Sequence, residues 1–182
     1  MDELSNAIRV TTRRPEETRQ LGAAVGRMAS VDQCIALDGD LGVGKTQWVH
    51  GIATGAMVAD LGLVSSPTYV LLNVYLRQPE VPASKTLFHL DAYRVPDAAA
   101  LEAVGWDELF GQQGVIVVEW AERVRAILPE DCLYIHGQLM DATTRVWALN
   151  ATGVQSAALL QAVQRECGGS AAAYNAIMDF PG

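Results

Sequence analysis

The stretch Gln33-Cys34-Ile35-Ala36-Leu37-Asp38-Gly39-Asp40-Leu41-Gly42-Val43-Gly44-Lys45-Thr46 decides the fold. Gln33 to Asp38 is a compact apolar run, the mark of a strand buried on both faces. A glycine-rich turn follows, and a helix is expected from Lys45 to Met57. Gly39 to Thr46 fits G-x-x-x-x-G-K-[ST], and it sits between a strand and a helix as that motif requires. Glycines let the backbone wrap a phosphate without Cβ clashes. The turn's N–H groups and the helix N-terminus then point at negative charge. Gly39, Asp40, Leu41, Gly42, Val43, Gly44, Lys45 and Thr46 are therefore the candidate nucleotide-binding set. Lys45 is expected to reach the outer phosphates, and the Thr46 hydroxyl to ligate Mg2+. The Asp40 side chain, ill-placed beside phosphates, is expected to point away.

Outward from the loop, helix and strand signals alternate. Ala7 to Thr11 reads as a first strand. Pro15 to Ala29 reads as a helix, with proline at its start, Glu16 and Glu17 in the first turn, and Leu21, Val25 and Met28 at helical spacing. Strands are expected at Tyr69 to Leu76, Thr86 to Leu90 and Val115 to Val118. Two more, Cys132 to Leu139 and Arg145 to Ala151, are joined by a turn at Met140 to Thr144. Helices are expected at Asp97 to Phe110, Ala121 to Leu128 and Gln155 to Arg165. Some strands pair as hairpins and others need crossovers. The fold class is therefore α/β: a P-loop nucleotide-binding fold with a mixed, mostly parallel central sheet flanked by helices. The chain divides into a P-loop domain over 1–152 and a C-terminal helix and tail over 153–182. The small-residue tail from Gly168 is expected to dock loosely.

Two strands end on acids: Asp91 follows Leu87-Phe88-His89-Leu90, and Glu119 follows Val115-Ile116-Val117-Val118. Strand C-termini of an open α/β sheet converge on one crevice. Both acids can thus face the phosphates, one holding Mg2+ and the other orienting a water, with the division of roles open. Trp120 follows Glu119 and is expected either to line the site or to pack under the next helix.

Composition sets bounds. The net charge of −8 argues against a chain that grips nucleic acid alone. No run approaches the ~18 apolar residues of a membrane span. The N-terminal Met1-Asp2-Glu3-Leu4 lacks a basic-then-apolar pattern, so a cytoplasmic location is expected. Cys34, Cys132 and Cys167 are widely spaced and form no C-x-x-C pair; buried, reduced thiols are expected.

Four blocks occur in order: the loop, then Ser66-Pro67-Thr68-Tyr69, then His89-Leu90-Asp91-Ala92-Tyr93-Arg94, then Val118-Glu119-Trp120-Ala121-Glu122-Arg123. Together they resemble the TsaE family, the bacterial ATPase of tRNA threonylcarbamoyladenosine biosynthesis, over roughly residues 8 to 150. The resemblance implies ATP on the loop, with Thr46 and Glu119 as the Mg2+ ligands. It implies that Asp91 is needed for activity and that Thr68 belongs to a switch-like segment. With Lys45, these make Asp91, Glu119 and Thr68 the candidate catalytic set. It also implies adenine contacts near Thr18 to Gly22 and by Arg145. The chain departs from the family pattern at Gln47, at Ala92 and in the extension from Gly153 to Gly182.

The implied activity is a weak ATP hydrolase working with the TsaD and TsaB proteins on position 37 of tRNA, with tRNA met only through that complex. An Arg finger adds ~10³ to 10⁵ in rate to such sites. Arg94 or Arg123 in cis, or a partner, are the sources considered. Two other readings share the loop: a small-molecule kinase, disfavoured by the lack of an Arg-rich lid, and a nucleotide-dependent binding switch. A GTPase would want an Asn-Lys-x-Asp guanine reader, and Asn150-Ala151-Thr152 does not supply it.

Overall fold

The computed structural model describes residues 7–66, 71–95, 100–101 and 105–169. They form a seven-stranded sheet in the order β1-β7-β6-β2-β5-β4-β3. The strands are β1 (Ile8–Thr12), β2 (Cys34–Gly39), β3 (Leu72–Tyr75), β4 (Thr86–Asp91), β5 (Gly114–Glu119), β6 (Cys132–Leu139) and β7 (Arg145–Ala151). The central four, β6-β2-β5-β4, are parallel. Antiparallel strands close both edges, β7 and β1 on one side and β3 on the other. This is the mixed, mostly parallel sheet of a P-loop fold.

The apolar run of β2 is buried on both faces for a visible reason. Ile35 and Leu37 enter a core with α1 (Pro15–Met28), α2 (Lys45–Ala56) and α3 (Val154–Gly169). Cys34 and Ala36 enter a second core with Phe88, Leu90, Trp106 and Val124. Leu159, Leu160, Val163 and Cys167 of α3 share the first core with Leu21 and Val25 of α1. All three cysteines are buried and free.

Helices α1 and α2 meet backbone to backbone. A Cβ added at Gly22 or Gly26 would lie 2.6 Å from Trp48 O or 2.2 Å from Ile52 O. One added at Gly51 or Gly55 would lie 2.2 Å from Arg19 O or 2.1 Å from Ala23 O. Four glycines thus set the spacing that places the N-terminus of α2 beneath the loop.

Three expected helices differ, and the strand expected over Tyr69 to Leu76 spans Leu72–Tyr75 among the described residues. The helix expected over 97–110 does not run through: Gly105 takes φ 76° and a short 3₁₀ turn follows at Asp107–Leu109. A left-handed glycine ends a helix. The helix expected over 121–128 is a 3₁₀ segment, Ala121–Ile127, broken at Val124. The C-terminal helix is longer than expected, reaching from Val154 to Gly169. Its first turn is capped by the Asp131 carboxylate, which accepts from Gln155 N at 2.7 Å and Ser156 N at 2.9 Å. No helix among the described residues is long and apolar enough to cross a membrane.

Candidate functional site

The site begins where β2 ends. Gly39 turns at φ 121°, and a Cβ there would lie 2.2 Å from Gly137 O on β6. Only glycine fits both the angle and the space. Gly42 and Gly44 also take positive φ, and Gly44 is the residue that opens α2. Lys45 Nζ donates to Gly39 O at 2.6 Å and Asp40 O at 3.1 Å. It also lies 3.4 Å from the centre of the Trp120 ring, a cation–π contact. Lys45 is buried, and burial pulls its ammonium below the usual lysine range, opposed by Glu119, Glu122, Asp38 and Asp91.

Parallel pairing of β4 and β5 puts Asp91 opposite Glu119. Residues of alternating strand positions share a face, so both acids lie on the side of α2. Each is only 3% exposed. Burying two carboxylates is costly unless each is hydrogen-bonded, and each is. The Thr46 hydroxyl donates to Glu119 at 3.1 Å (Oε1) and 3.3 Å (Oε2). His89 Nε2 donates to Glu119 Oε1 at 3.0 Å. Ser66 Oγ donates to Asp91 Oδ2 at 2.6 Å, and Tyr93 N to Asp91 Oδ1 at 2.9 Å.

A cavity of about 490 Å³ joins these groups. Leu41, Gly42, Gly44, Lys45, Thr46 and Gln47 line one wall; Ser66, Asp91, Tyr93, Glu119 and Trp120 line the other. Of the expected loop set, Gly39, Asp40 and Val43 do not line it: Val43 is packed in the core and Asp40 is exposed. Trp120 lines the cavity and packs against Tyr93, ring centres 5.0 Å apart and planes tilted by 50°. Arg145 Nε donates to Val43 O at 3.3 Å, and Arg19 Nε to Gln47 Oε1 at 2.6 Å, so both flank the loop. Neither Arg94 nor Arg123 lines the cavity. Thr68, with Pro67 and Tyr69, lies outside the described residues.

Four residues were not singled out as site residues from sequence. His89 stands two residues before Asp91 on β4 and therefore shares its face, a period-2 signal readable in the His-Leu-Asp triplet. Ser66 comes close only through the fold. So does the pair Asp38 and Glu122: Glu122 N donates to Asp38 Oδ1 at 2.9 Å. A side-chain hydrogen bond with Asp38, then burial, push the Glu122 carboxyl up to about 7.

The donors suit Mg2+. Thr46, Glu119 and Asp91 offer only oxygen, and Mg2+ takes one or two carboxylates together with phosphate oxygens and waters. No group of three or more His, Cys, Asp or Glu among the described residues makes an all-protein cage.

The family model "Threonylcarbamoyl adenosine biosynthesis protein TsaE" matches residues 12–146. The chain is similar to the tRNA threonylcarbamoyladenosine biosynthesis protein TsaE of Bacillus subtilis, 36% identical over 66% of this chain and 71% of that one. It is similar to the protein of the same name from Treponema pallidum, 35% identical over 68% and 85% of the two chains. Among solved structures, the crystal structure of Bacillus subtilis YdiB superposes with a TM-score of 0.72. That likeness holds at 27% identity and covers 88% of this chain and 96% of the other.

Proposed function

The chain belongs to the TsaE family, and from that premise we propose that it is a P-loop ATPase acting in threonylcarbamoyladenosine biosynthesis on tRNA. The reading extends to ATP and Mg2+ as ligands, to position 37 as the modified site, and to TsaD and TsaB as the proteins it works with in the cytoplasm. One observation carries the ATPase part. Thr46 and Glu119 share a hydrogen bond across a cavity that Lys45 and Asp91 also line.

The roles follow from that geometry. Loop N–H groups and the start of α2 bind the phosphates. Lys45 exchanges the carbonyls of Gly39 and Asp40 for phosphate oxygens and neutralises charge that develops on the γ-phosphoryl group. Thr46 and Glu119 hold Mg2+, which when bound supplies charge stabilisation and alignment to in-line attack by water. Asp91, at the same level of the neighbouring strand, is placed to orient that water, with Ser66 and the Tyr93 N–H fixing its carboxylate. No arginine among the described residues lines the cavity, which favours a partner as the source of a further cation. The charge of −8 fits a protein that meets tRNA through others.

The test is ATP hydrolysis by the full chain, alone and with TsaD–TsaB and tRNA, with K45A as control. Slow turnover alone, raised by the assembled partners and lost in K45A, is expected. Phosphorylation of a small acceptor, or turnover indifferent to the partners and to Lys45, would sink this reading.

A further inference from the structure

We propose that His89 is a positioning residue: its Nε2–H fixes the Glu119 carboxylate so that Glu119 and Thr46 form a ready seat for the metal. The inference rests on the Mg2+-ATP reading above and assigns a further residue to it.

The His89 ring is fully buried. A carboxylate accepts and cannot donate while ionised, so the 3.0 Å contact makes Nε2 the donor and Glu119 Oε1 the acceptor. Nδ1 has no partner among the described residues. The bond to Glu119 is therefore the ring's one polar interaction there. A buried imidazole with one nitrogen unpaired is a poorer packing element than an apolar side chain of similar size. Packing alone does not explain a histidine at this position.

An aromatic ring flanks the imidazole. The Tyr75 ring lies 6.2 Å away, centre to centre, tilted by 31°. Tyr75 is itself pinned, its hydroxyl donating to Ser65 O at 3.1 Å and accepting from Ser65 N at 3.2 Å. Oε1 of Glu119 is anchored by His89 and Thr46, whereas Oε2 meets Thr46 alone, at 3.3 Å. Anchoring one oxygen leaves the other as the available ligand and removes the rotational freedom that metal binding would otherwise have to freeze. Carboxylates that bind metals are commonly held this way, and losing the outer partner weakens metal affinity by roughly 10- to 100-fold.

The experiment uses the full chain, Mn2+ as the probe and a non-hydrolysable ATP analogue. Mn2+ affinity of the nucleotide complex is read by electron paramagnetic resonance. Nucleotide affinity in EDTA is read by calorimetry, and the melting temperature is recorded beside both. H89Q keeps an N–H near the Nε2 position, whereas H89N is too short to reach and H89L has no donor. H89Q should bind Mn2+ within about threefold of the wild type. H89N and H89L should lose roughly tenfold or more, with nucleotide affinity in EDTA unchanged. If H89L fails to fold, the comparison of H89Q with H89N decides. Equal Mn2+ affinity in H89Q and H89N, or wild-type affinity in H89L, overturns the proposal. A wild-type chain whose nucleotide binding ignores Mn2+ and Mg2+ altogether overturns the underlying site reading instead.

Discussion

Replacing Gly51 with alanine tests the claim that the loop helix is set by a glycine seam. In an ordinary helix interior the change should stabilise, because alanine exceeds glycine in helix propensity by about 1 kcal/mol. Here the new Cβ would lie 2.2 Å from Arg19 O and 2.8 Å from Gly22 Cα. Ordinary contact begins near 3.4 Å, so the helices must part by about 1.2 Å, the difference of those two distances. Backbone atoms cannot rotate away as a flexible side chain would. Overpacking of this kind costs about 1–3 kcal/mol. Set against the propensity gain, the net is a loss of up to about 2 kcal/mol, roughly 1 M in urea midpoint at an m-value near 2 kcal/mol/M. The assay is urea unfolding followed by far-UV circular dichroism, comparing midpoints at unchanged slope. A second arm pairs G51A with G22A. Gly22 and Gly51 oppose each other, so parting the helices once relieves both, and the double variant should lose less than the sum of the singles. A G51A protein more stable than the wild type, as propensity alone would make it, would refute the seam.

Other expectations follow from single contacts. Glu122 has a folded-state pKa raised to about 7 by its hydrogen bond with Asp38 and by burial, with Lys45 and His136 opposing. The stability this supplies is present below the unfolded carboxylate range and lost as pH rises through 7. The wild-type melting temperature should therefore fall more steeply than that of E122Q between pH 5 and pH 8, and superimposable profiles would reject the coupling. In T12V the buried Trp147 Nε1–H loses its 3.0 Å acceptor and the Thr18 hydroxyl its 2.9 Å partner. Thermal unfolding should show a loss of about 1–3 kcal/mol, and an unchanged midpoint would mean other partners replace Thr12. K45M should lose triphosphate binding by calorimetry yet melt no lower than the wild type, because burial already disfavours the ammonium; a large drop in melting temperature would show Lys45 to be structural.

The sheet was legible because its core strands are apolar on both faces and end on marked residues. Gln33 to Asp38 read as a buried strand, and the motif after it named the turn. The hairpin of Cys132–Leu139 and Arg145–Ala151 came out with the expected bounds because turn residues separate two alternating runs. The 97–110 stretch misled for a physical reason. Leu101, Val104 and Leu109 carry a helical period, but Gly105 in the left-handed region overrides it. In the site, Asp91 and Glu119 were readable as strand ends, and the register sets them side by side on neighbouring strands. Ser66, Asp38 and the glycine seam were not readable in the same way. Each depends on a partner 25 or more residues away in the chain, and only the fold supplies that pairing.

The bonding inside the cavity bears on how fast such a site can work. Lys45, Thr46 and Asp91 are each held by a neighbouring protein group: two loop carbonyls and an indole face, a carboxylate, and a hydroxyl. On the proposed reading, ATP and Mg2+ enter by exchanging those bonds, not by satisfying idle groups. Each exchange returns only the difference between two good interactions, of order 1 kcal/mol where charge is involved on both sides. Binding energy is then modest. What changes rate is whether Asp91 and Glu119 hold their positions at the moment of attack. Glu119 is braced from within the sheet by His89, whereas Asp91 is braced by Ser66, which adjoins the Pro67-Thr68 segment. One carboxylate is thus braced from within the sheet and the other by the exposed Ser66 hydroxyl and the Tyr93 N–H. On the proposed reading, a partner that displaces Ser66 would reach Asp91 without touching the bonds between Glu119, Thr46 and His89.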